Sequence, residues 1–176
     1  MAHADFSAPA ITHRPPGRCR AIAEGRVEEN GKAEAGIRST IEERMAAIRD
    51  KDVARAVATL ADDIVAFELA PPLALGPEAA GDEAALAAWL AAWDGPVGIE
   101  IRALHIEADG DIGWSRALNR LHGTLKGGRG VDMWMRSTLG FRREGGAWKI
   151  AHGHSSVPFH MDGSFRAATD LKPGQS

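Results

Sequence analysis

The chain of 176 residues has no tyrosine and a single cysteine, Cys19. One thiol excludes an intrachain disulfide and fits a reducing, cytoplasmic compartment. Without tyrosine, no side chain can offer a phenolic hydrogen bond to a substrate. Long apolar runs are missing as well. The alanine-rich stretch from Ala84 to Ala92 is too short to span a bilayer, and the N-terminus has no continuous apolar segment of the signal-peptide kind. There is no excess of positive charge: the formal net charge is −3, which gives no electrostatic case for nucleic acid or an anionic membrane surface.

What is present is the composition of an ordinary soluble domain, with 44% hydrophobic and 26% charged residues. The length is enough for one domain with a real core. Residues 1–33 combine Pro15-Pro16 with scattered Arg and Glu and show no periodicity, so they are expected to form a mobile tail. A folded domain is expected over 34–159, and a C-terminal tail over 160–176, with Phe165 and Leu171 able to pack on a pocket.

Ile37, Ile41, Met45 and Ile48 recur at helical spacing, and Ser39 with Glu42 has the spacing of a capping box. Asp50-Lys51-Asp52 breaks the pattern. Asp52 can cap a second short helix carrying Val53, Val57 and Leu60. Ile64 to Leu69 reads as a strand ended by Pro71-Pro72. Asp82 can cap a third helix that presents Leu86, Trp89, Leu90 and Trp93 on one face, ended by Asp94-Gly95-Pro96. From Pro96 to Pro158 the chain reads as a four-stranded meander, punctuated by Asp109-Gly110, Gly127-Gly128 and Gly145-Gly146, each taken as a two-residue hairpin loop. Helices segregated from an antiparallel sheet give an α+β fold.

Pairing outward from those loops sets Leu104 opposite Ser115, Leu118 opposite Ser137, and Ser137 opposite His154. Alternation then sorts the side chains onto two faces. One holds Ile99, Ile101, Trp114, Arg116, Leu118, Arg120, His122, Met133, Met135, Ser137, Leu139, Phe141, Trp148, Ile150, His152 and His154. It is large and apolar with embedded histidines and arginines, as a helix-covered core opening into a pocket would be. The other carries Glu100, Arg102, Leu104, Ile106, Ser115, Asn119, Asp132, Trp134 and Arg136, which suits solvent or a subunit contact around Trp134. A one-residue bulge exchanges the faces.

Three segments carry a family resemblance: Phe67-Glu68-Leu69-Ala70-Pro71-Pro72-Leu73; Asp132-Met133-Trp134-Met135-Arg136; and Trp148 through Phe159, which includes His152-Gly153-His154. Together with the order of elements, the chain from Ile37 to Pro173 resembles the SnoaL-like and ketosteroid-isomerase-like group of the nuclear-transport-factor-2-like superfamily. The resemblance implies a cone-shaped, curved antiparallel sheet of four to six strands wrapped around three N-terminal helices. It also implies a deep apolar pocket and often a homodimer through the outer sheet face. Members include isomerases, cyclases, dehydratases, hydrolases and binding modules, so the fold alone does not assign a reaction. Ketosteroid isomerases build an oxyanion hole from tyrosine and a protonated aspartate; the absence of tyrosine argues against that machinery here.

His154 and His152 suit acid or base work if they border the pocket, and structural hydrogen bonding if they do not. Glu68, in an otherwise apolar strand, fits either a general base or the partner of an arginine. Arg120 could orient an anionic substrate group, with His122, Trp89, Met133, Met135 and Ser137 lining the site. A zinc site built from His152, His154 and His122 is disfavoured. His122 lies two strands away, roughly 9.6 Å, and about 13 Å off in level. No metal and no cofactor is therefore expected. Two readings result: cofactor-free isomerase, cyclase or lyase chemistry on a hydrophobic carbonyl compound, or a non-catalytic ligand-binding or assembly module.

Overall fold

The computed structural model describes residues 17–174, with side chains for residues 27–174. Helix α1 spans Gly17–Asp50, so the break expected after residue 33 falls inside one helix of 34 residues. Ser39 and Glu42, read as a capping box, sit mid-helix. Proline and scattered charge are weak evidence against helix when no glycine pair or X-Pro step interrupts the run. The helix ends in a Schellman arrangement. Lys51 adopts φ 58°, its N–H donates to Ile48 O (3.2 Å), and the Asp52 N–H donates to Ala47 O (2.9 Å).

Asp52 then caps α2 (Val53–Val57), its carboxylate accepting from the Arg55 N–H. Strand β1 covers Leu60–Phe67. A short α3 (Pro77–Ala80), unforeseen in the sequence, has Pro77 in its first turn. Helix α4 (Glu83–Ala91) starts as expected from Asp82, which accepts from Ala84 and Ala85 N–H. Four long strands follow: β2 (Trp93–Asp109), β3 (Ile112–Leu125), β4 (Gly130–Glu144) and β5 (Ala147–Ser156). With β1 they form one curved, five-stranded sheet in the order β1-β5-β4-β3-β2, with β1 parallel to β5 and every other pair antiparallel.

The helices cover one face of this sheet. Ile37 and Ile41 of α1 join Leu60, Ile64, Ile106, Phe141, Trp148 and Ile150 in one apolar cluster. Ala47 and Ile48 join Ala56, Leu90, Trp93 and Val97 in a second. Contact is close enough that two glycines are required. A Cβ on Gly36 would stand 2.5 Å from the Trp148 ring, and one on Gly113 would stand 2.3 Å from Ile37 Cδ1.

The observed register reverses part of the expected sorting. Ala117, not Leu118, pairs with Ser137, because the chain between Thr124 and Gly130 is longer than a two-residue loop. That single step turns the whole of β3 over: buried Ser115, then Asn119 and Leu121, belong to the covered face, while Trp114, Arg116, Arg120 and His122 belong to the open one. In β2, an extra residue around Ala103 (φ 53°) brings Ile106 inward and His105 outward. In β5, an extra residue at Ala151 separates the Phe141–Ile150 pair from the Gly140–His152 pair. Gly153 is therefore buried beside Leu139 and Ala66, and His152 and His154 turn to the open face.

Candidate functional site

The residues expected to form one site are divided between the two faces. Met133, Met135 and Ser137 lie on the covered face as expected, Ser137 being buried. His152 and His154 share a side, as expected, but it is the open one. Phe67 stacks edge-on against both rings, at 4.9 and 5.8 Å between centroids. Arg120 is also on the open face, where its guanidinium donates to both carboxylate oxygens of Asp132 (2.7 and 2.8 Å) and more distantly to Glu100. These carboxylates, Asp132 first, raise its pKa further, so Arg120 is engaged by acidic side chains. The His122 ring lies over Gly98 on that face. Trp89 of α4 packs edge-to-face on Trp93 at 5.7 Å and remains partly exposed.

Glu68 follows the last residue of β1. Its negative charge is felt by Arg44 of α1, on the helix side. No contact between Glu68 and His154, expected to share acid/base work, is found among the described residues. Alternation along β1 places Ala66 inward and Phe67 outward, and Phe67 pairs with His154 across the parallel ladder.

The sequence reading passed over Asn119, Glu42 and Arg49. A cleft of about 210 Å³ lies between α1 and β2, lined by Glu42, Met45, Arg49, Ile99 and Ile101. Asn119 is the cross-strand partner of Ile101 and shares its face. Its Oδ1 is buried and has no hydrogen-bond partner among the described residues. The one signal that could have marked it is an amide amid the apolar alternation of β3, legible only once the register is known. The arrangement offers an apolar slot with one charge of each sign at its rim, and a buried amide acceptor on the neighbouring strand β3. Among the described residues no group of three or more His, Cys, Asp or Glu side chains could hold a metal ion, and no helix is long and apolar enough to cross a membrane.

The curved sheet with helices on one face defines a protein of the NTF2-like α+β class. The chain belongs to the SnoaL-like family, whose domain model matches residues 37–160. Among solved structures it is similar to an NTF2-like protein of unknown function from Pseudomonas putida, at 36% identity and TM-score 0.71, over 81% of this chain and 98% of that one. A ketosteroid isomerase-like protein from Erwinia carotovora (19% identity, TM-score 0.55, 70% and 94% covered) shares the fold. So does a proposed dehydratase of the NTF2-like family from Streptomyces avermitilis (14% identity, TM-score 0.60, 69% and 93% covered). No curated protein matches the sequence.

Proposed function

We propose that the chain is a small-molecule binding protein of the SnoaL-like fold, and that its ligand combines an apolar body with a hydrogen-bond donor. The buried, unpaired Oδ1 of Asn119 beside Ile101 supports this reading. An acceptor of that kind is costly to leave unmade, and a donor arriving with the ligand would relieve the penalty, about 1–3 kcal/mol for a buried group. Met45, Ile99 and Ile101 supply the apolar walls. The cleft is smaller than the usual range of roughly 300–1,000 Å³ for drug-sized ligands, so the ligand is compact. Acid/base turnover by His154 and Glu68 gains no support from a contact between them among the described residues.

Native mass spectrometry of freshly purified protein tests the reading. An organic mass is expected in the wild type and is expected to disappear in Ile101→Trp, which fills the cleft. A retained mass that survives Ile101→Trp would assign the ligand elsewhere. Turnover that vanishes in His154→Gln while folding is unchanged would restore the enzyme reading.

A second reading concerns assembly. Phe67 and Trp114 are partly exposed on the open face, and Arg102 sits 5.1 Å over the ring of Trp134. These favour a homodimer through that face. Light scattering should report twice the chain mass, falling to one chain mass in Trp114→Glu. A cytoplasmic location rests on the lone cysteine.

A further inference from the structure

Glu42, Met45 and Arg49 fall within about 60° of one another around α1, so a single stripe of the helix faces the cleft. Ile99 and Ile101, two residues apart on β2, supply the opposite wall. The stripe carries an anion at one end and a cation at the other, roughly 10 Å apart along the helix axis, with the Met45 thioether between them. Neither charge is answered within the fold. Among the described residues, the side chains of Glu42 and Arg49 make no ion pair and no hydrogen bond. Their exposed neighbours on the same helix do: Glu43 (2.9 Å) and Asp50 (3.0 Å) both hold Arg55 of α2. The difference is one of direction. Glu43 and Asp50 reach toward α2, whereas Glu42 and Arg49 border a wall where β2 presents only isoleucine. The charges of β2 nearest to that wall, Glu100 and Arg102, pair with each other on the open face of the sheet.

We propose that the cleft between α1 and β2 binds a compact α-amino acid as its zwitterion. Arg49 takes the carboxylate, Glu42 takes the ammonium, and Met45, Ile99 and Ile101 take the apolar side chain. This names the head group of the ligand proposed above and rests on that reading of the cleft. The planar guanidinium fork matches a carboxylate through two parallel N–H···O bonds, and a carboxylate receives an ammonium as a point charge. The two signs also reject alternatives. A simple anion meets the like charge of Glu42 and a simple cation meets that of Arg49, so a ligand carrying both signs is preferred. The rim is open to water, and each charge pair therefore adds a few-fold in affinity rather than orders of magnitude.

Calorimetric titration with free tyrosine tests the assignment against three truncations. Tyramine lacks the carboxylate, para-hydroxyphenylpropionate lacks the ammonium, and phenylalanine lacks the phenolic donor. Tyrosine is expected to bind about threefold to fivefold more tightly than tyramine and than para-hydroxyphenylpropionate. Arg49→Gln should erase the advantage over tyramine alone, and Glu42→Gln the advantage over para-hydroxyphenylpropionate alone. Both residues are exposed, so both variants are expected to fold. Tyrosine that binds no more tightly than either truncation, a ranking unmoved by the two variants, or no binding of tyrosine overturns the proposal. Ile101→Trp separates this inference from the reading of the cleft. Tyrosine bound equally well by Ile101→Trp overturns both. Binding lost in Ile101→Trp, with a ranking unmoved by Arg49→Gln and Glu42→Gln, overturns the zwitterion alone. Phenylalanine binding as tightly as tyrosine would overturn the donor to Asn119 and leave the head group assigned.

Discussion

The two faces of the sheet are made by the same strands and the same alternation, yet they are built from different interactions. The covered face consists of apolar side chains locked against α1, with glycine where the Trp148 and Ile37 side chains press on the backbone. The open face is a lattice of ion pairs, Glu100 with Arg102, Arg120 with Asp132, and Arg142 with Asp63 and Glu144, beside a hydrogen bond between His105 and Glu107. All of these are substantially exposed. Exposed pairs in water add little net stability, whereas buried methylenes and rings add much. The fold is therefore held mainly from one side.

The sharpest way to break that asymmetry is Phe141→Ala. The ring is 2% exposed, and its loss is expected to cost about 3–5 kcal/mol, read as a fall in urea midpoint at unchanged slope. A cost no larger than that of Trp134→Ala on the open face would refute the one-sided picture. Next comes Gly36→Ala. Helix propensity favours alanine by about 1 kcal/mol, but the new methyl meets the Trp148 ring, and overpacking of this kind costs about 1–3 kcal/mol. A net loss is expected, and a gain would mean that the ring moves aside freely. Asp52→Ala removes the cap of α2 and should cost about 1 kcal/mol in the same assay.

The smallest effect belongs to the open face and appears only in acid. Hydrogen bonds from Arg120, Arg142, Arg102 and His105 are the leading reason that Asp132, Asp63, Glu100 and Glu107, respectively, have lowered pKa values. A carboxyl whose folded pKa is depressed contributes its stability in full above its unfolded value, about 4, and loses it as pH falls through the folded value. Calorimetric melting temperatures should therefore drop below about pH 4. Asp132→Asn should flatten that drop slightly while leaving neutral-pH melting nearly unmoved. Equal flattening by a substitution away from any ion pair would refute the assignment.

Much of the fold was legible in the sequence because its signals are local. Asp52 and Asp82 cap the helices expected of them, and Gly145-Gly146 joins β4 to β5 as expected, whereas the first loop is Gly110-Asp111 rather than Asp109-Gly110 and the loop at Gly127-Gly128 is longer than two residues. The site was less legible because it depends on register. Placing Met133, Met135 and Phe141 inward needed only alternation within one strand. Placing Arg120 and His122 needed the true length of the loop between β3 and β4, and placing His152 and His154 needed the extra residue at Ala151. A period of two cannot reveal a single inserted residue, since both sides of the insertion still alternate. Asn119 was assigned outward for the same reason, which hid the one buried amide acceptor on the covered face.

The parallel pairing of β1 with β5 has a temporal consequence. Leu60 meets Ile150, about 90 residues further along the chain, so β1 has no strand partner until the last strand is made. On a ribosome adding roughly 5–20 residues per second, that interval lasts several seconds or more. Throughout it, Ile64 of β1 and Ile37 and Ile41 of α1 lack the Trp148 and Ile150 side chains that complete their cluster. The nascent chain thus carries a sticky, unfinished edge until its closing strand emerges, and a ribosome stalled before residue 147 would display a surface suited to chaperones.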